Sequence, residues 1–173
     1  MKKWFVAGDL LWYPVEGNNK QIKTPDAMVV FGRTKYHRSS YKQWLEDDIA
    51  PQVVFEIRSP CNKDSEMEEK FQFYQNYQVE EYYLYDPDKG HLKGWIRGGN
   101  HLLSIVPMDG WISPRLGIRF ERSGKELMLY HPDGKRFTSH EEETTRANVA
   151  EQQAEVAEAE ITLLKALLAK KDS

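Results

Sequence analysis

Short apolar runs, each closed by proline, glycine or a turn sequence, follow one another from Trp4 to about Phe137. Runs of this kind predict strands rather than helices. Trp4–Tyr13 is dense in aromatic and aliphatic residues and stops at Pro14, ahead of the turn Glu16-Gly17-Asn18-Asn19. Ala27–Phe31 follows Pro25-Asp26 and ends at Gly32, Gln52–Ile57 lies between Pro51 and Ser59-Pro60, and Tyr82–Tyr85 ends at Asp86-Pro87. All three read as buried strands. Between the last two, Met67, Phe71, Tyr74 and Gln78 recur at helical spacing. Ser65 with Glu68 three residues on has the form of a capping box, so a helix is expected from Ser65 to about Gln78. A strand, a helix and a strand of these lengths predict a crossover joining two strands of one sheet.

Beyond Pro87 the pattern becomes one of hairpins. Leu92–Ile96 and Leu102–Val106 flank Gly98-Gly99-Asn100, and Leu116–Phe120 and Glu126–Tyr130 precede the Pro132-Asp133-Gly134 turn. From His140 the chain changes to Ala, Glu, Gln and Leu without Gly or Pro. Val149, Val156 and Leu163 are spaced by seven, with Gln152, Ala159 and Ala166 in the companion row. This predicts a long C-terminal helix with an imperfect heptad seam, either a coiled coil or a helix that docks on its own domain or stays solvated. The expected division is a domain over residues 1–138 and a helical appendage over 139–173.

Composition narrows the class. With 173 residues and 40% hydrophobic positions, one domain with an appendage fits better than two domains. A single cysteine, Cys61, excludes an internal disulfide framework and suits a reducing cytoplasm. Gly8 and Asp9 interrupt the apolar run behind Met1-Lys2-Lys3 too early for a secretory signal, and no stretch is apolar for the roughly 18 residues a membrane span needs. A net charge of −3 argues against a strong sequence-independent grip on nucleic acid, although carboxylates gathered at a metal site would offset basic residues elsewhere. The five histidines, His37, His91, His101, His131 and His140, have no metal-ligating spacing.

Three residues stand out chemically. Asp26 immediately precedes one apolar strand, and Glu56 lies inside the next, where alternation puts Val54, Glu56 and Arg58 on one face. A carboxylate in an apolar strand is costly unless it is paired or binds a metal, so Glu56 has two readings: an ion-paired strand end or a cation ligand. Lys70 lies mid-helix with Tyr74 at i+4. Two carboxylates at neighbouring strand ends suit a hard divalent cation, and an ammonium beside them suits a phosphate. Tyr36, Tyr41 and Trp44, interleaved with Lys35, Arg38 and Lys42, form an aromatic and basic loop. Packing of that loop onto its own domain is favoured over base stacking.

The segments PDAMVVFG, SYKQWLED, VVFEIRSP, DSEMEEKFQFY and VEEYYLYDP resemble, in this order, the Uma-type putative restriction endonuclease family. The likeness runs on through LKGWI, the Ser113–Leu116–Gly117 segment and LYHPDGKRFTSHEE into the Ala/Glu-rich tail. That family looks like a branch of the PD-(D/E)xK nuclease superfamily. The resemblance implies a restriction-endonuclease-like α/β core with a mixed sheet, extended by β-hairpins and the C-terminal helix.

It also implies a site. Asp26 corresponds to the aspartate of the PD motif and Glu56 to the strand glutamate. Arg58 stands where the superfamily usually has its lysine, and Lys70 on the following helix takes that lysine's place. Arg58 is the competing cation and a possible phosphate contact. Asp64 matches an acidic position near the helix start, with a structural role. Asp26 and Glu56, with the backbone carbonyl of Ile57, would ligate Mg²⁺ or Mn²⁺, and Lys70 would stabilise the transition state of DNA hydrolysis. Cutting a duplex twice needs two sites, which implies a homodimer. Family members usually carry a helix ahead of the stretch equivalent to FVAGDL, often with an acidic residue near the metal; here that stretch lies just behind Met1. The rival expectation is therefore a catalytically impaired nuclease fold that binds partners or oligomerises.

Overall fold

The computed structural model describes residues 4–138 and, further on, residues 144, 145, 148, 149 and 151–153. The chain divides into two compact units, Met1–Lys135 and Arg136–Ser173. The described residues of the second unit beyond Thr138 are helical. The rest of the expected C-terminal helix, including Val156 and Leu163 of the heptad seam, lies outside the described residues.

The described residues of the first unit form ten strands, one α-helix and a short 3-10 turn at Gln43–Leu45: β1 (Trp4–Gly8), β2 (Trp12–Tyr13), β3 (Ala27–Phe31), β4 (Tyr41–Lys42), β5 (Val53–Ile57), α1 (Asp64–Asn76), β6 (Glu81–Asp86), β7 (His91–Gly98), β8 (His101–Ser104), β9 (Arg119–Ser123) and β10 (Glu126–Tyr130). Six of these strands form one mixed sheet in the order β1-β3-β5-β6-β7-β8. Every neighbouring pair is antiparallel except β5 and β6, which are parallel and joined through α1. The expected crossover is therefore present. Residues Glu81–Leu84 of β6 are all buried, as a central strand covered on both faces requires.

Alternation along the strands divides the core into two layers. Met28, Val30, Val54, Tyr82 and Leu84 face α1 and pack with Met67, Phe73, Tyr74 and Trp12. Val29, Val53 and Tyr83 face the other way and pack with Ile105 and Phe120. Trp12 is fully buried, with Phe73 edge-on at 5.2 Å and Tyr74 stacked at 6.3 Å between ring centroids. Each such pair contributes about 0.5–1.5 kcal/mol beyond its buried area. This aromatic packing fixes the rotation of α1 over β5. The C-terminal end of the helix is held by Arg97 of β7, whose guanidinium donates to the carbonyls of Val79 (2.8 Å), Tyr74 (3.3 Å) and Gln75 (2.8 Å).

Several expected boundaries are corrected. Trp4–Tyr13 is two strands, because the chain turns at Asp9 (φ 50°) and sends Trp12 into the core beneath α1. The helix starts at Asp64 and not Ser65: the Glu66 carboxylate accepts the Lys63 N–H at 3.0 Å and takes the place expected of Glu68. It ends at Asn76, since Gln78 adopts φ 65°. Leu116–Phe120 is displaced to Arg119–Ser123 because Ser113–Ile118 closes as a turn. That turn wraps Glu81, whose buried carboxylate accepts from Tyr83 Oη (2.9 Å), Ser113 Oγ and the Arg115 N–H (2.8 Å). Strand pattern alone had no means of showing that partner set.

Candidate active site

Proline at position 25 ends the loop before β3, which leaves Asp26 one residue beyond the Ala27–Phe55 pair of the antiparallel β3–β5 ladder. That register brings Asp26 opposite the end of β5. Its Oδ2 accepts the Ile57 N–H at 2.6 Å, so the aspartate is tied to the strand that carries Glu56.

Glu56 points into the α1 layer and is 2% exposed. Its Oε2 accepts from Lys70 Nζ at 2.6 Å and its Oε1 accepts from the Tyr74 hydroxyl. Lys70 and Tyr74 stand one helical turn apart on the same face of α1, and the two oxygens of one carboxylate meet both. Burial pushes the Glu56 carboxyl up to about 7. The hydrogen bonds from Lys70 and Tyr74 and the Lys70 charge oppose the rise, and the Asp26 charge adds to it. Burial and the Glu56 charge push Tyr74 far up, so it remains a hydroxyl donor.

Arg58 is placed differently. Its guanidinium pairs with Asp64, the first residue of α1. The cation in contact with Glu56 is Lys70. Ile57 is exposed at the strand end, beside the Asp26 carboxylate. Asp26, Glu56, Ile57 and Lys70 thus come together, and Arg58 lies at the rim with Asp64. Tyr74 was legible as a helix-stripe residue, but its role as a partner of Glu56 was not. Its i+4 spacing from Lys70 was the available signal.

The donors suit a hard cation. Two carboxylates and a strand-end carbonyl offer oxygen only, the ligand chemistry of Mg²⁺ and Mn²⁺. Among the described residues, no three His, Cys, Asp or Glu side chains group into a metal cluster. A cation here would therefore keep several water ligands, as Mg²⁺ usually does.

The aromatic and basic loop packs on its own domain. Glu46 is buried and accepts from Arg38 Nε (2.8 Å) and Tyr36 Oη (2.6 Å), while Arg38 lies over the Phe5 and Tyr36 rings. Tyr41, rather than Trp44, carries the packing: it is fully buried and donates to the Ile49 carbonyl at 2.7 Å. Cys61 is exposed, and no helix among the described residues is long and apolar enough to cross a membrane.

A mixed sheet with one crossover helix, and an aspartate, a buried glutamate and a lysine converging at its strand ends, defines an α+β protein with an oxygen-rich, cation-compatible site. Residues 1–123 match the model of the family described as "Uma2: Putative restriction endonuclease". The chain belongs to this family. No curated protein matches it. A solved structure described as "a putative nuclease belonging to DUF820 from Anabaena variabilis ATCC 29413" is similar, with 16% sequence identity and a TM-score of 0.45. The match covers 64% of this chain and 59% of that one, less than two thirds of its length.

Proposed function

We propose that the chain is a Mg²⁺- or Mn²⁺-dependent endonuclease that hydrolyses phosphodiester bonds of DNA. The observation that carries this reading is the convergence of Asp26, Glu56 and Lys70 at adjoining strand ends, within the family described as "Putative restriction endonuclease". Asp26 and Glu56, with the Ile57 carbonyl, would hold the cation. A divalent cation supplies Lewis-acid polarisation of the phosphate and a more acidic water.

The protein's own part is positioning and charge. The Asp26–Ile57 bond fixes the aspartate against β5, and Tyr74 holds one oxygen of Glu56 in place. Lys70, with its side chain 22% exposed, can turn from Glu56 to the phosphate once Glu56 has another positive partner. There it would stabilise the charge that builds on the phosphate oxygens. The expected result is nicking of supercoiled plasmid in Mg²⁺ and none in EDTA. Equal nicking in both would refute metal dependence.

Duplex cleavage by one such site per chain is served by a homodimer, for which residues 139–173 would act as the association helix. Sedimentation of the full chain should give twice the mass expected for a monomer, and deletion of residues 139–173 should return it to one. An unchanged mass on deletion would exclude the tail from assembly. The second reading, a nuclease fold acting only as a binding or oligomerisation module, is favoured by the net charge of −3. It predicts assembly without nicking.

A further inference from the structure

Beside the carboxylate pair, β6, β7, Arg58 just beyond β5 and the first half of α1 frame a cleft of about 240 Å³. The registers Glu56–Leu84 and Leu84–Lys93 place Glu56, Leu84 and Lys93 in one row across three neighbouring strands, on the α1 face. With strands about 4.8 Å apart, Lys93 stands roughly 10 Å from Glu56 along that row. This is the reach of a neighbouring nucleotide rather than of the scissile phosphate itself.

The walls suit a nucleobase. Trp95 and Phe71 are both partly exposed, meet edge to face at 5.3 Å and line the cleft. Trp95 is itself stacked on Tyr82 at 5.0 Å, which makes it a rigid platform. Tyr82 also lines the cleft, and its buried hydroxyl has no hydrogen-bond partner among the described residues. At the rim, Lys93 is exposed and carries an ammonium, and Glu68 is exposed and carries a carboxylate with one oxygen on Gln72. Arg58 also lines the cleft, but it is paired with Asp64.

We propose that this cleft is a subsite for one unstacked base of single-stranded DNA, adjoining the phosphodiester at the Asp26–Glu56 site. The base lies on Trp95 and Phe71, its exocyclic amino group donates to Glu68, and the next phosphate is held by Lys93. The inference rests on the nuclease reading for what lies beside the cleft. A base ring with an apolar face, an amino donor and a flanking anion matches aromatic walls, a carboxylate and an ammonium in one step. An acidic peptide would meet Glu68, and a lipid surface would need a wider apolar patch than these two rings.

The test is equilibrium binding of the full chain to oligodeoxynucleotides of about 8 nucleotides, a length within the usual single-strand site size. EDTA in the buffer keeps binding separate from cleavage. Oligo-dC is expected to bind about tenfold tighter than an abasic oligomer of the same length, and tighter than oligo-dT. Glu68→Gln should remove the preference for dC over dT. Lys93→Ala should weaken all the base-bearing probes and reduce the slope of log K against log salt by about 0.7, the value for one phosphate contact on a single strand. A purely structural role for Lys93 would not move that slope. Equal affinity for abasic and base-bearing probes, no binding of any probe, or an unchanged slope in Lys93→Ala would overturn the subsite. Binding as expected from a chain that never nicks DNA would instead overturn the nuclease reading and leave the subsite standing.

Discussion

Lys70→Ala is expected to lower the rate of plasmid nicking by about 10²- to 10³-fold while leaving Mg²⁺ binding intact or slightly tighter. The fall is the usual effect of removing one group that stabilises transition-state charge in a water-poor site. The unchanged metal affinity has a separate cause. Lys70 Nζ occupies Glu56 Oε2 at 2.6 Å, so ammonium and cation compete for the same oxygen, and its loss removes a competitor. The fold should survive the substitution. Removing one partner of a buried pair ordinarily strands a charge. Here the Glu56 carboxyl, already pushed up to about 7, takes a proton instead. Circular dichroism at pH 6 should show native structure, and nicking and calorimetry then report on chemistry alone. Nicking at the wild-type rate would remove Lys70 from the mechanism and return the cationic role to Arg58, which Arg58→Ala would then test.

Glu56→Gln should abolish saturable Mg²⁺ binding, and it should also flatten the dependence of metal-free stability on pH. In the unfolded chain Glu56 ionises near its ordinary value of 4.5, and in the fold it holds its proton to about 7. A group raised in this way contributes stability that is fully present below about 4.5 and is lost as pH rises through about 7. The two values correspond to about 3 kcal/mol, lost mainly between pH 5 and pH 7.5. Metal binding runs the other way, because the cation needs the ionised carboxylate: affinity should rise with pH up to about 7 and then level off. Urea midpoints measured at several pH values should therefore slope downward for the metal-free wild type and stay level for Glu56→Gln. Glutamine keeps an oxygen for the Tyr74 hydroxyl, and Lys70 can turn to solvent, so the variant should fold. A parallel slope in the two proteins would show that Glu56 does not titrate as described. Undiminished Mg²⁺ binding by the variant would take Glu56 out of the ligand set.

How much of this was legible in the sequence depends on the range of the interactions. Strands β3, β5 and β6 were readable because Pro25, Gly32, Pro51 and Pro87 bracket their apolar runs, and the helix between β5 and β6 was readable from its periodicity. The crossover follows from those lengths alone. Its capping was misread because Lys63 has no capping side chain: the reciprocal bond comes from Glu66, and local residue type did not reveal it. Asp26, Glu56 and Lys70 could be named as unusual residues, but their meeting depends on an antiparallel β3–β5 register and on the rotation of α1, fixed by Trp12 from a distant strand. Two partners of Glu81, Ser113 and Arg115, lie 32 and 34 residues away and carried no local signal.

Asp26 offers the most direct test of the central claim, since it is partly exposed and its one described hydrogen bond is to the Ile57 N–H. Asp26→Asn keeps the size of the side chain and an oxygen for that bond, yet removes one of the two negative charges available to a cation. The measurement is plasmid nicking by wild type and Asp26→Asn across a Mg²⁺ titration, with folding of both confirmed by thermal unfolding. The site described here predicts nicking by the wild type that saturates with Mg²⁺, and none by Asp26→Asn within the same range. Equal nicking by the two proteins, or none by the wild type at any Mg²⁺ or Mn²⁺ concentration, would contradict it.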